Sequence, residues 1–253
     1  MTPRLFIVGL GPGAEDQVTQ EAREALAQAT DLLGYGLYVT RAVILGAADQ
    51  AVPHVTDNRE ELGRARHALE LAMQGRVPVV VSGGDAGVFG MASAVFEAVA
   101  EGPEAWRGID IRVIPGVTAV LATAARLGAP LGGDFCVISL SDNLKPWDVV
   151  VRRLRLAAEA GLVIALYNPR SLARPGQLDL GLAALRDVLP GEIPVVFARA
   201  IGRPTEHVLS TTLSQARGES ADMSTLVLIG CAHTKQIKRP GQIPWLYTLR
   251  RVP

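Results

Sequence analysis

Three glycine-rich turns carry the residues whose types and spacing point most directly to chemistry. They are Gly9-Leu10-Gly11-Pro12-Gly13, then Ser82-Gly83-Gly84-Asp85-Ala86-Gly87-Val88-Phe89-Gly90, then Ile114-Pro115-Gly116-Val117-Thr118-Ala119. Each follows an apolar run of strand length, where α/β proteins tend to hold their ligands. The first turn lacks the Gly-x-Gly-x-x-Gly spacing of dinucleotide sites, and Pro12 removes a backbone donor that a phosphate would use. Taken alone, it reads equally well as a tight turn. In the second, four glycines in nine residues let the backbone approach a ligand closely. Asp85 is suited either to accept hydrogen bonds from a ligand hydroxyl or amine, or to cap the helix that follows. Thr118 in the third turn reads as a helix N-cap.

No hydrolytic or metal machinery accompanies these turns. There is no Gly-x-Ser-x-Gly elbow, no Walker lysine loop and no supported Cys/His pair. The histidines at 54, 67, 207 and 233 have no ligand spacing, so no metal is expected. Cys136 and Cys231 stand in apolar strand-like runs and are expected to be buried free thiols in a reducing, cytoplasmic compartment. Ligand loops without a nucleophile fit transfer between two bound organic molecules, with the protein supplying orientation and modest acid–base help. Lys plus Arg equals Asp plus Glu, at 25 each, without the basic excess of a nucleic-acid binder. The opening apolar run, Leu5 to Leu10, is too short for a signal peptide, and no run approaches the ~20 residues that span a bilayer. Neither nucleic acid nor membrane is an expected partner.

The elements that must position these turns alternate along the chain. Strands are predicted over 5–9, 77–82, 109–114, 135–140, 162–167, 194–198, 207–212 and 225–230. Helices are predicted over 19–29, 59–74, 91–100, 118–127, 147–158 and 178–189, the first opening on Thr19 as N-cap. The alternation predicts an α/β fold with largely parallel sheets. The breaker cluster Ala129-Pro130-Leu131-Gly132-Gly133 divides it into domains over 1–130 and 134–253. After Gly230 comes a basic, proline-broken tail with Lys235, Lys238, Arg239, Arg250 and Arg251, read as a solvated terminus or a substrate contact.

Taken in order, the three turns, Thr19 and the terminal run Ser224-Thr225-Leu226-Val227-Leu228-Ile229-Gly230 closely resemble the tetrapyrrole methylase family over nearly the whole chain. Further features resemble the branch that methylates ring carbon C17 of a corrin intermediate and contracts the macrocycle. These are Gly34-Tyr35 through Tyr38, the run from Ser82 to Met91, Ser139-Leu140-Ser141-Asp142-Asn143 and Tyr167-Asn168-Pro169-Arg170-Ser171. The resemblance implies two α/β domains with a cleft between them, a homodimer, and S-adenosylmethionine as methyl donor. Carried over by motif, Pro12, Gly83, Gly84, Asp85, Val88, Thr118 and Ala119 would line the cofactor site. Asn168, Ile201 and Thr225 would join them from the second domain.

In that reaction class an electron-rich ring carbon attacks the sulfonium methyl in line, so no covalent enzyme intermediate is required. Ring contraction needs proton transfers, for which Ser139, Ser141, Asp142, Asn143 and Lys145 are the candidates. Arg170, with Arg199 or Arg203, would pair with substrate carboxylates; a surface salt bridge is the competing reading for each. Three rivals stay open: a cobalt-containing macrocycle or another corrin carbon, a diphthine-synthase-like methylase, and a non-catalytic nucleotide-binding or regulatory module. The run from Tyr167 to Ser171 disfavours the second.

Overall fold

The computed structural model of the chain describes residues 2–57 and 60–251. It forms two compact units, Met1–Thr118 and Ala119–Pro253. The first contains β1 (Arg4–Gly9), α1 (Gln20–Ala27), β2 (Asp31–Gly34), α2 (Gly36–Ile44), β3 (Val52–Val55), α3 (Glu61–Met73), β4 (Pro78–Ser82), α4 (Met91–Glu101) and β5 (Asp110–Ile114). Its five strands are all parallel, in the order β3-β2-β4-β1-β5.

Alternation along β1 explains both faces of this sheet. Leu5 and Ile7 enter the core built with α3 and α4, whereas Phe6 and Val8 enter the one built with α1 and α2. A strand covered on both faces reads as a continuous apolar run. Each fully buried Leu or Ile contributes roughly 1.5–3 kcal/mol. Thr19 caps α1, its hydroxyl accepting from the Ala22 amide at 3.1 Å. β2, α2 and β3 were not expected from the sequence. Leu32-Leu33 is too short a run to stand out, and Pro53 argues against a strand except at a sheet edge, where β3 lies. The helix expected over 59–74 is described from Glu61 to Met73, and its expected first residue, Arg59, lies outside the described residues.

The second unit contains α5 (Ala119–Leu127), β6 (Gly128–Ala129), β7 (Phe135–Ser139), α6 (Trp147–Glu159), β8 (Val163–Tyr167), α7 (Gln177–Arg186), β9 (Pro194–Arg199), β10 (His207–Thr212), β11 (Thr225–Ile229), β12 (Thr234–Arg239) and β13 (Gln242–Thr248). Its main sheet runs β10-β9-β11-β8-β7. Only the β7–β8 pair is parallel; β8–β11, β11–β9 and β9–β10 are antiparallel, so the expectation of largely parallel sheets holds for the first unit alone. The reason lies in the connections: β9 and β10 are joined by a short turn rather than a crossover helix.

The breaker cluster at 129–133 is not the division between the units. Val120 and Leu127 of α5 pack with Val163, Leu226 and Leu246, and β6 pairs with β13, so α5 and the cluster belong to the second unit. The tail is folded, although Lys235, Lys238, Arg250 and Arg251 are exposed as a solvated segment would have them. β12 and β13 form a hairpin, the buried Thr234 and Thr248 hydroxyls meet at 3.0 Å, and Thr248 also donates to the Pro130 carbonyl at 2.6 Å. Cys231 is buried and free, while Cys136 on β7 is only partly buried; burial pushes its thiol up, which keeps it protonated and unreactive. Among the described residues, no helix is long and apolar enough to cross a membrane.

The first unit also holds a buried carboxylate. Asp31, at the start of β2, accepts from Arg76 Nη2 at 2.9 Å, from the Thr30 hydroxyl at 2.7 Å, and shares a 2.8 Å bond with His54 Nε2. Burial alone would raise this carboxyl, but the bonds from Arg76, Thr30 and His54 outweigh it and hold Asp31 below the usual carboxylate range. The set joins β2, β3 and the turn before β4. Asp31→Asn should therefore lower stability at neutral pH by roughly 2–3 kcal/mol, less than for a fully buried pair because water reaches Arg76. The folded carboxyl lies below its unfolded value, so its contribution is present above about pH 4 and is lost as pH falls through the folded value. Urea titrations at several pH values should show the acid-side loss of stability reduced in the variant.

Candidate functional site

In the first unit, β4, β1 and β5 are neighbours, and parallel pairing brings their C-terminal ends to one edge. All three glycine-rich turns leave from that edge and touch through backbone. Gly11 and Gly84 exchange amide-to-carbonyl bonds of 3.0 and 2.9 Å. A Cβ on Gly9 would lie 2.7 Å from the Gly84 carbonyl oxygen and 2.8 Å from the Gly116 nitrogen. One on Gly116 would collide with that same carbonyl oxygen. On Gly83 it would fall 2.5 Å from the Tyr38 ring. These glycines are required by the protein's own packing, before any ligand is considered.

Asp85 binds this arrangement together. Its Oδ1 accepts from the amides of Gly87 and Val88 at 2.8 and 3.1 Å, and its Oδ2 accepts from the amide of Gly116 at 2.9 Å. The carboxylate thus braces its own loop and staples it to the turn after β5. It does not cap α4: the Met91 amide that opens that helix donates instead to Ser82 Oγ at 3.1 Å. The two other sides of the edge are held by Arg41 from α2, which donates to the Gly11 carbonyl at 2.9 Å, and by Tyr38 against Gly83. Nothing in the local sequence marks Arg41 for this role, because it depends on α2 packing beside the edge. Pro12 and Thr118 are buried at this edge, Gly83, Gly84 and Val88 are partly exposed, and Phe89 is exposed with a left-handed backbone of φ 54°.

In the second unit, strand direction gathers a different set. β7, β8 and β9 end, and β11 begins, at one edge, as the pairs Ser139↔Tyr167 and Thr225↔Arg199 record. Ser139, Asn168, Ile201 and Thr225 therefore meet along one line although they are far apart in sequence. Asn168 Nδ2 donates to the buried Ser139 Oγ at 3.0 Å, and that oxygen also accepts from the Ser141 amide at 3.2 Å. Asn168 and Ala200 both adopt left-handed backbone, φ 51° and 49°, directly after β8 and β9. Ala200 in that region is strained, a condition that persists where surrounding structure over-determines it and that clusters at ligand sites.

Other expected residues are already engaged. The Thr225 hydroxyl donates to Asp222 Oδ1 at 2.8 Å and accepts from the Asp222 amide at 3.0 Å, which closes the turn before β11. Asp142 accepts from Gln177 Nε2 at 3.1 Å and faces Arg174 at 3.7 Å, neither of which sequence reasoning singled out. Arg170 donates to the Gly218 carbonyl at 3.2 Å. Arg199 pairs with Asp222 at 2.7 Å, the surface salt bridge that was its competing reading. Asn143 is exposed; Lys145 is partly buried, and burial followed by the neighbouring Arg153 pushes its ammonium down. Ala119 opens α5, whose Val120 amide donates to Tyr167 Oη at 3.0 Å. The hydroxyl thereby satisfies a first-turn donor.

Comparison with known proteins adds an independent finding. Residues 4–217 match the family described as Tetrapyrrole (Corrin/Porphyrin) Methylases. The chain is 52% identical over 250 residues to Precorrin-3B C(17)-methyltransferase of Sinorhizobium sp, covering 99% of this chain and 97% of that one. It is 41% identical to Probable cobalt-factor III C(17)-methyltransferase of Salmonella typhimurium, covering 89% and 92% respectively. The crystal structure of the methyltransferase CobJ superimposes with a TM-score of 0.91 at 49% identity, covering 97% of this chain and 99% of that one.

The glycine knot gives a direct test. Asp85→Ala removes three accepted bonds from backbone amides, which should cost roughly 2–4 kcal/mol in a urea titration. Hydrogen exchange should deprotect the amides of Gly87, Val88 and Gly116 together. Gly116→Ala should loosen the same loops, since a methyl group there meets backbone that cannot rotate away. Unchanged exchange at Gly116 in Asp85→Ala would show that the staple is not what holds the third turn.

Proposed function

The chain belongs to the tetrapyrrole methylases, and from that membership we propose that it is a precorrin-3B C17-methyltransferase. It transfers a methyl group from S-adenosylmethionine to C17 of precorrin-3B and contracts the macrocycle to precorrin-4, a step of cobalamin biosynthesis. The observation that carries this reading is 52% identity along almost the full length of a precorrin-3B C(17)-methyltransferase. The Tyr167-Asn168-Pro169-Arg170-Ser171 run at the ligand edge of the second unit agrees with it.

The loops of the first unit suit this cofactor better than a nucleotide phosphate. The amides of Gly87, Val88 and Gly116 would make an anion-binding nest if they were vacant. The Asp85 carboxylate already fills them, and its charge would repel a phosphate. S-adenosylmethionine has a cationic sulfonium and a neutral adenosine, so only its amino-acid carboxylate must be kept away from Asp85. S-adenosylmethionine supplies an electrophilic methyl group when bound. Pro12, Gly83, Gly84, Val88 and Thr118 of the first unit would hold it, and Asp85 would act by shaping the loop that carries Gly83, Gly84 and Val88. In the second unit, Ala119, Asn168, Ile201 and Thr225 stand at the matching motif positions, the Thr225 hydroxyl being taken up by Asp222.

The chain's own work is to orient the macrocycle and to move protons for the contraction. Ser139 retains a hydroxyl proton to donate while its oxygen accepts from Asn168 and Ser141. Burial and the neighbouring Arg153 push the Lys145 ammonium down, the direction that favours proton release. Asp142 and Asn143 precede it on the same loop, and Arg170 offers its remaining donors to substrate carboxylates. The protein acts as a homodimer in the cytoplasm. A cobalt-containing macrocycle is the second reading, favoured by the 41% identity to the Salmonella protein.

Incubated with precorrin-3B and isotopically labelled S-adenosylmethionine, the protein should give a product one methyl group heavier. Carbon NMR should place the label at C17 of a contracted ring. Label at another carbon, or an uncontracted ring, would remove the C17 assignment. Turnover of cobalt-factor III in preference to the metal-free substrate would select the second reading. Calorimetry should register S-adenosylmethionine, but not NAD or ATP, with or without EDTA.

A further inference from the structure

We infer that Leu144 and Leu172 form an apolar clamp for the face of the tetrapyrrole macrocycle, a role that rests on the function proposed above. Leu144 lies between β7 and α6, Leu172 between β8 and α7, and their exposures are 92% and 104%. A single exposed leucine is ordinary. These two occupy loops that leave the same edge from adjacent parallel strands and that are tied together. Asn168 Nδ2 donates to Ser139 Oγ at 3.0 Å at their base, and Gln177 donates to Asp142 at 3.1 Å further out. Two large apolar side chains are thus carried into water on a braced frame. Neither belongs to the cores of this unit, so the fold gains nothing from them.

Charge names the occupant. The same pair of loops carries Lys145, Arg170 and Arg174 against one acid, Asp142, which is itself engaged by Arg174 and Gln177. An apolar pair within a cationic rim complements a flat apolar ring whose periphery bears carboxylates. Protein surfaces match this pattern less well, because a second copy would set Lys145, Arg170 and Arg174 against their own equivalents at a twofold contact. Leucine also suits the chemistry: it grips by dispersion and area without adding a donor, acceptor or charge next to the proton transfers.

The experiment uses full-length Leu144→Ser/Leu172→Ser, with each single variant and Leu144→Met/Leu172→Met beside it. Steady-state turnover is measured on precorrin-3B, S-adenosylmethionine affinity by calorimetry, and mass by light scattering across a dilution series. The serine pair should raise KM for the tetrapyrrole about tenfold or more, as expected when apolar contacts are left wet. Cofactor affinity, melting temperature and mass should be unchanged, and the methionine pair should recover most of the loss. An unchanged KM with active wild type overturns the clamp alone. A fall in mass of the serine variant overturns it in favour of a second copy on this surface, and a parallel loss of cofactor affinity overturns it in favour of a general distortion of the loops. If wild type turns over neither the metal-free nor the cobalt form, the proposed function falls and the clamp with it.

Discussion

The Asp85 carboxylate accepts from amides on two different loops, and the convergence of the three glycine-rich turns of the first unit depends on that set of bonds. Three strand-end turns converge there because β4, β1 and β5 are adjacent and parallel. They approach so closely that Gly9, Gly84 and Gly116 meet backbone to backbone. Such a contact offers little apolar area to bury, so something else must hold it in register. Charge-assisted bonds from one buried-side carboxylate do so at three points. The same bonds decide the electrostatic character of the edge, since the amides that could cradle a phosphate are already occupied. A brace for the loops and the loss of an anion-binding nest are two consequences of one interaction.

The second unit solves a related problem with strand direction. Antiparallel pairing of β11 places its start beside the ends of β8 and β9, so Thr225 stands on the same edge as Asn168 and Ile201. Side chains there hold one another as much as they present themselves. Thr225 closes a turn with Asp222, Asp142 faces Arg174 and Gln177, and Ser139 anchors both Asn168 and Ser141. Asn143, Leu144 and Leu172 are among the groups turned to solvent, and Lys145 is partly buried.

Much of this was readable from the residues. Strands with long β-branched or aliphatic runs, such as Pro78–Ser82 and Val163–Tyr167, stand out because burial on both faces demands continuous apolar sequence. The edge strand Val52–Val55, with a proline and a histidine, carries no such demand and is invisible without its neighbour. The pairing of Gly128–Ala129 with β13 is equally hidden, since two residues have no periodicity. The basic tail misled for a different reason. Lys235 and Lys238 face water, while the residues that anchor the hairpin are two threonines and Leu246, which look unremarkable in sequence.

The sequence by itself determined the α/β class, the three glycine-rich turns and the family to which they belong, because each is a matter of local pattern: apolar period, glycine spacing and motif order. Only tertiary structure decided what those residues do for one another. Asp85 turns inward to amides rather than outward, Gly83 makes room for Tyr38, and Arg199 is taken up by Asp222. Nor does local pattern carry the mixed direction of the second sheet or the attachment of α5 to it. The physical reason is the same in each case: a polar group's partner, and a helix's buried face, are chosen by residues distant in sequence that only pairing and packing bring within reach.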